Sequence, residues 1–209
     1  MDPVTAALLA FVAAAGLLTV TPGLDTALVL RTAAVEGPRR AVLAAIGILS
    51  GCLCWAFLVA AGLAALLAVS RLAYEILRLA GAAYLIWMGW RMLRHPRTQL
   101  TAPGEASGSA WGAFARGALT NLLNPKVGIF YISFLPGFVP HGEPVGPFIV
   151  LLGLIHAALG AAWFACLILA CAPIAHALRR PAVLRNLDRV TGALFVTFGV
   201  GLALEARRV

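Results

Sequence analysis

Apolar residues run along this chain in long blocks separated by short polar clusters. The block from Ala41 to Ser70 holds no Asp, Glu, Lys or Arg, and neither does the block from Pro144 to Leu178. Each exceeds the roughly 20 residues that an α-helix needs to cross a bilayer. Setting blocks against clusters predicts six spans: Val4 to Val35, Ala41 to Leu67, Leu72 to Leu93, Trp111 to Phe138, Phe148 to Leu178 and Val190 to Leu204. The first and fourth are interrupted by helix breakers, and the last needs Arg185 to Arg189 at an interface to complete it.

One convincing polar linker, RHPRTQLTAPGEASGS, separates the third span from the fourth. It divides a single membrane domain, 1–209, into a first three-helix unit (1–93), a linker (94–110) and a second three-helix unit (111–209). Three is odd, so two related units of this kind enter the membrane in opposite directions. The expected fold is therefore all-α, with six transmembrane helices in two inverted repeats. Arginine placement gives the orientation. Arg39, Arg40, Arg91, Arg94, Arg97, Arg116, Arg179, Arg180, Arg185 and Arg189 cluster on one set of alternate loops. The other side holds Arg71, Arg207 and Arg208, while PGFVPHGEPVGP carries no base. The positive-inside rule assigns the first set to the cytoplasm and both termini to the outside. Arg78 also reads as the i,i+3 partner of Glu75 near a helix end.

Composition agrees: 62% of residues are hydrophobic, 11% are charged and the mean hydropathy is +0.94, whereas soluble domains carry about 25% charged residues. The start, MDPVTAALLAF, has an acid and no base ahead of its apolar run, the wrong polarity for a cleavable signal, so it is expected to stay as structure. No span of chain is left for a soluble catalytic domain, and no cofactor motif occurs. The net charge of +8 does not point to nucleic acid, because the bases sit between apolar blocks rather than on an amphipathic face.

The chemistry concentrates where the spans are interrupted. In TVTPGLDTALVLR, Thr21 is the expected N-cap and Pro22 the first helical residue, with Gly23 beside it and Asp25 in the first turn, where the helix dipole favours an anion. TNLLNPKVGIFYISFLPGF repeats the device with Asn124 as N-cap and Pro125 after it. Breaks inside a bilayer are tolerated only where the backbone is buried in protein or lines a hydrated cavity. A matched pair in inverted halves points to a transporter's midplane site. Two helix starts facing one cavity suit an anionic group such as a carboxylate. Lys126, the only Lys in the chain, also falls in a first turn, where the dipole disfavours it. An ionisable group there is a functional candidate that needs a partner, and Asp25 is the obvious one.

Other polar residues carry blander readings. Thr26, Thr120, Asn121 and Tyr131 are further site candidates, although Thr and Asn in membrane helices often bond only to a neighbouring helix. Cys52 and Cys54, and Cys166 and Cys171, lack redox or zinc spacing and read as small core residues. His95 and His141 fall in loops, and His156 and His176 have no second ligand at i+3 or i+4, so they read as packing groups. Gly47 and Gly51 permit close approach of a helix, from this chain or from a second copy, and a homodimer is the weak expectation. A metal site is not expected: a divalent or heavy-metal cation exporter is the rival reading, with Asp25 as ligand, but Lys126 beside it would repel the ion. A membrane enzyme would need a nucleophile and base together at one face, and no such cluster occurs.

These motifs resemble the lysine-exporter family of amino-acid efflux permeases, the LysE/RhtB type, over nearly the whole chain. TPGLDTALVLR is similar to the family's first-helix TPGPN motif, GPRRAVLAAIGILSG to its Gly-rich second segment, LRLAGAAYLIWMGWRMLR to its third helix and NLLNPKVGIFYISFLPGFV to its fourth. The resemblance implies an inner-membrane exporter of amino acids or close derivatives, driven by the proton gradient. It carries the substrate site onto Thr21, Pro22, Gly23, Asp25, Asn121, Asn124, Pro125 and Lys126. Two residues depart from the pattern: Leu24 stands where a second Pro is usual, and Asp25 where Asn is usual. The expected mechanism has the half-helix ends and Lys126 receiving a carboxylate, while Asp25 meets an ammonium or carries the coupled proton.

Overall fold

The computed structural model describes residues 2–69, 71–96, 109–169 and 180–204, and these residues form helices and no strand. In chain order the helices are α1 (Pro3–Val20), α2 (Leu24–Val35), α3 (Pro38–Val69), α4 (Arg71–Arg94), α5 (Ala110–Leu122), α6 (Pro125–Ile129), α7 (Val145–Leu169) and α8 (Pro181–Leu204). After α6 the chain continues as a π-helical turn, Phe130–Phe134, and a 3-10 turn, Leu135–Phe138. Pro136, which has no N–H to donate, enforces that tightening. Three helical stretches are long and apolar enough to cross a membrane: Pro3–Val20, Pro38–Gly62 and Val145–Leu169. Their outer faces carry bare apolar side chains, among them Leu9, Val42, Phe57, Leu58 and Leu154, as lipid-facing surfaces do.

The helix ends follow local chemistry. Asp2 caps α1, its carboxylate accepting from the Thr5 N–H at 2.8 Å and the Thr5 hydroxyl at 2.6 Å, and Pro3 fits behind it because its missing N–H would be an orphan donor. These two bonds, the hydroxyl first, hold the exposed Asp2 carboxyl below the usual carboxylate range. Between α2 and α3 the turn is two residues, Glu36 and Gly37, with Gly37 at φ 87°. A side chain would be strained there, and Pro38 then opens the next helix.

Two expectations shift. The second helix does not start at Thr21 and Pro22: its N-cap is Gly23, with no side-chain cap, and Thr21 instead caps the C-terminus of α1. The sixth expected span begins at Pro181, as α8, not at Val190, and includes Arg185, Asp188 and Arg189. The fifth begins at Val145, and its expected continuation to Leu178 lies outside the described residues. So do linker residues 97–108 with Arg97, and Cys171, His176, Arg179, Arg207 and Arg208. The side chains of Glu75 and Arg78 are likewise outside them.

Packing is organised by small residues, as it must be in lipid, where close van der Waals contact replaces the hydrophobic drive between helices. α3 lies between α5 and α7. A Cβ added at Gly47 would collide with the Phe114 carbonyl, and one at Gly117 with the Ala44 carbonyl, so α3 and α5 meet backbone to backbone. The Gly47 and Gly51 spacing thus receives a helix of the same chain. α4 packs on α8 in the same way: a Cβ at Gly89 would lie 2.5 Å from the Gly192 oxygen, and one at Gly192 2.7 Å from the Gly89 oxygen. On the inner side of α1, Phe11 stacks against Phe130 and meets the edge of Phe138, filling the core between the first helix and the π segment.

Candidate functional site

The first break is a consequence of Pro22. In an unbroken helix the Leu18 carbonyl would accept from residue 22, and Pro has no N–H to offer. Thr21 closes the end of α1, its N–H reaching the Leu17 carbonyl at 3.1 Å and its hydroxyl donating to the same carbonyl at 2.7 Å. Its hydroxyl also shares a hydrogen bond with that of Thr191, a fully buried residue of α8. Gly23 is extended, and α2 restarts with Asp25 in its first turn. The carbonyls of Leu18 and Thr21 are met by the Lys126 ammonium, at 3.4 and 3.2 Å.

The second break is shorter and self-capped. Asn124 accepts from the Lys126 N–H at 3.1 Å through its side-chain oxygen, and its own carbonyl accepts from Val127 and Gly128 at 3.0 Å. Asn124 is the N-cap and Pro125 opens α6, as the sequence predicts. The side-chain nitrogen of Asn124 is left to face Asp25, donating to Oδ1 at 3.4 Å, while Asn121 donates to Oδ2 at 2.8 Å. Asn121 is fully buried and also reaches the Cys52 sulfur at 3.4 Å.

The two breaks therefore exchange charges. The cation from the second half sits on carbonyls at the C-terminal end of α1, where the helix dipole is negative, which resolves the apparent misplacement of Lys126 in a first turn. The anion from the first half sits on amides of the second. Charge-assisted bonds of this kind are roughly twice as strong as neutral ones.

Between the breaks lies a cavity of about 60 Å³, room for several waters. Thr21, Gly23, Asp25, Asn124 and Lys126 line it directly; Asn121 stands behind Asp25, and Pro22 and Pro125 act through the backbone. Of the further candidates, Thr26 is on the wall, Tyr131 is buried one layer back and Thr120 is away from it. The opposite wall is apolar, with Ile48 and Leu49 of α3 and Gly160 and Phe164 of α7. Cys52 and His156 complete the lining, and His156 Nδ1 lies 2.9 Å from the Tyr131 hydroxyl. Sequence reading missed these six. Their only signal was a polar residue inside an apolar run at Cys52 and His156, and none at the aliphatic positions. Cys54 and Cys166 are exposed rather than core. Beyond the cavity, Arg116 of α5 pairs with Glu36 at the end of α2 at 2.6 Å, both nearly buried.

A cavity with an ammonium and a carboxylate on one wall and aliphatic groups on the other complements a small zwitterion with an apolar side chain. The LysE type translocator family matches residues 17–206. A leucine efflux protein of Klebsiella pneumoniae is 30% identical over 198 residues, covering 93% of both chains. A homoserine/homoserine lactone efflux protein of Salmonella typhimurium is 30% identical over 197 residues, covering 93% of this chain and 94% of its own. An uncharacterized membrane protein of Vibrio cholerae is 30% identical over 198 residues, covering 93% and 95%. No solved structure matches the chain.

Proposed function

The chain belongs to the LysE type translocator family, a family of transporters and not enzymes, and from that premise we propose that it exports a small amino acid or amino-acid derivative across the inner membrane. The observation that carries the proposal is the pair of opposite charges, Asp25 and Lys126, on the wall of one cavity at two helix breaks. Lys126 receives the substrate carboxylate and Asp25 its ammonium, with Thr21, Gly23, Asn121 and Asn124 holding the two groups in place and Pro22 and Pro125 keeping the breaks open. The relatives that export leucine and homoserine support a substrate of this class. A divalent cation as cargo is disfavoured by the ammonium on the same wall.

Transport is driven by the proton gradient, with a proton moving inward as the amino acid moves out. Asp25 has two roles open to it, ammonium ligand or proton carrier. If it carries the proton, Asp25→Asn abolishes gradient-driven transport and leaves exchange; normal driven transport by that variant removes the role.

The six-span inverted arrangement is part of the same proposal, and helix direction supports it. Gly89 faces Gly192 while Gly199 faces Ala82, so α4 and α8 are antiparallel. Gly146, Gly153 and Gly160 face Ala60, Ala56 and Leu49, so α3 and α7 are antiparallel too. α3 and α5 run together, Ala44 against Gly117 and Gly51 against Asn121. Alternating passes through a bilayer require these directions. Arg91 and Arg94 lie over the rings of Trp87 and Trp90 at the end of α4, an aromatic and basic belt that suits the cytoplasmic interface and leaves both termini outside.

The test is a panel of labelled amino acids, loaded into vesicles that hold the purified protein, with Lys126→Ala as control. Export of at least one amino acid by the wild type, lost in the variant, is the expected result. Movement of no amino acid, together with transport of a divalent metal, overturns the proposal.

A further inference from the structure

The cavity holds a third titratable group that the charge exchange between the breaks does not use. His156 sits in the middle of α7, is 7% exposed, and lines the same wall space as Asp25 and Lys126. One ring nitrogen, Nδ1, is committed to the Tyr131 hydroxyl at 2.9 Å, and the ring is braced by Phe130 at 5.1 Å between centroids. Tyr131 is itself fully buried and belongs to the π-helical turn, a local widening of the helix often found at functional sites. Its partner nitrogen, Nε2, is the part of the ring left to the cavity.

Asp25 is differently engaged. Both of its oxygens already accept from amides, Oδ2 from Asn121 and Oδ1 from Asn124. The Asn124 amide is fixed in that sense, because its oxygen takes the Lys126 N–H. This surround suits a standing negative charge that meets an ammonium. The titratable or charged groups facing His156 from the elements around it are Asp25 of α2, Cys52 of α3, Lys126 of α6 and Tyr131 of the π turn; the lining part of α1 contributes none among the described residues.

Resting on the proton-driven export reading, we infer that the His156 and Tyr131 pair is the seat of the coupled proton, and that it works by competition with the substrate ammonium for Asp25. A proton from outside binds at Nε2 and makes the ring a cation. Lys126 and the charged ring then give the cavity two positive charges against the one negative charge of Asp25, and the substrate ammonium is repelled. Loss of the proton from Nε2 to the cytoplasm restores a neutral ring and the room for a zwitterion. The Tyr131 hydroxyl acts by position: its oxygen accepts from Nδ1–H in the neutral and the charged ring alike, which holds the neutral ring in the tautomer whose Nε2 is free to take the proton.

Purified full-length protein in vesicles separates the outcomes. The measurements are exchange of each amino acid in the labelled panel at equal pH on both sides, and accumulation of the same amino acid driven by a pH difference. His156→Asn keeps an amide near the Nδ1 position for Tyr131 but cannot titrate. It is expected to exchange within about twofold of wild type and to accumulate nothing. Tyr131→Phe is expected to keep driven transport with its pH midpoint displaced by half a unit or more. Undiminished accumulation by His156→Asn overturns the inference, and so does loss of exchange by a folded variant, which would make His156 a substrate ligand. If His156→Asn does not fold, an unchanged pH profile for Tyr131→Phe overturns it. Asp25→Asn that exchanges but does not accumulate returns the proton to Asp25. Absence of exchange by the wild type for every amino acid fails the export reading itself, and this inference with it.

Discussion

The two helix breaks face one problem, backbone groups freed inside a bilayer, and resolve it differently. The second break closes itself: Asn124 supplies the cap, its carbonyl takes two N–H groups, and only its amide nitrogen is spent outside. The first does not. Pro22 orphans a carbonyl that no residue of its own half recovers, and Gly23 starts α2 with no side-chain cap. Its need is met by Lys126, from more than a hundred residues away. The difference teaches that a break is cheap where local polar side chains reach it, and becomes a binding device where they do not, because the group that fills it must be imported and can be shared with a ligand.

This contrast can be tested from its strongest consequence downward. Lys126→Ala leaves two carbonyls of the first break without the Lys126 donor, at about 1–3 kcal/mol for each orphaned group, and removes the ammonium proposed to receive the substrate carboxylate. With the receptor of the substrate carboxylate gone, exchange is expected to fall at least about 100-fold, equivalent to about 2.7 kcal/mol, with a lower unfolding midpoint in detergent; a variant with wild-type midpoint and rate shows that the first break needs no import. Gly51→Ala attacks the second break from outside, since the new Cβ would lie 2.7 Å from the Asn121 oxygen. Displacing Asn121 loosens Asp25, with about 1–3 kcal/mol of overpacking cost and weaker substrate binding, both readable by thermal unfolding and exchange.

Asn124→Ala removes the cap together with the long amide bond to Asp25, and about 1 kcal/mol of stability is expected to go with the cap. A loss as large as that of Lys126→Ala would mean the second break is no more self-sufficient than the first. Thr21→Val is of comparable size, at roughly 0.5–1.5 kcal/mol, because the Thr21 N–H still reaches Leu17 when the hydroxyl is gone, while the buried Thr191 hydroxyl loses its partner. The least effect belongs to Asp2, the cap of a helix start outside the apolar core. Its carboxyl is held low in the folded chain, so its contribution is present above the unfolded carboxylate's range and is lost as pH falls through the folded value. Faster amide exchange in the first turn of α1 at acid pH, abolished as a pH effect in Asp2→Ala, is the expected signature.

Much of this was legible in the residues. Pro22 and the Asn124-Pro125 pair marked both interruptions, because Pro removes a donor wherever it stands, and the lone Lys126 marked where charge had to be answered. What failed was direction. Thr21 has the chemistry of an N-cap, but its hydroxyl turned back to Leu17 and across to Thr191, since a buried hydroxyl takes whichever carbonyl is nearest and a sequence does not say which that is. The aliphatic wall of Ile48, Leu49, Gly160 and Phe164 was invisible for a related reason: in an apolar span every face reads alike, and only packing decides which side chain looks inward. His156 read as a packing group, and it does bond to Tyr131, but it also lines the cavity; its partner Tyr131 belongs to the π turn, which no periodicity announces.

The import of Lys126 by the first break also has a consequence in time. Thr21 and Lys126 are 105 positions apart by their residue numbers, and at about 5–20 residues per second a ribosome needs roughly 5–20 s to cover that distance. For that interval the first break lacks the ammonium that meets its carbonyls in the folded chain. The first half of the chain therefore cannot complete its own break before the single lysine of the chain is made.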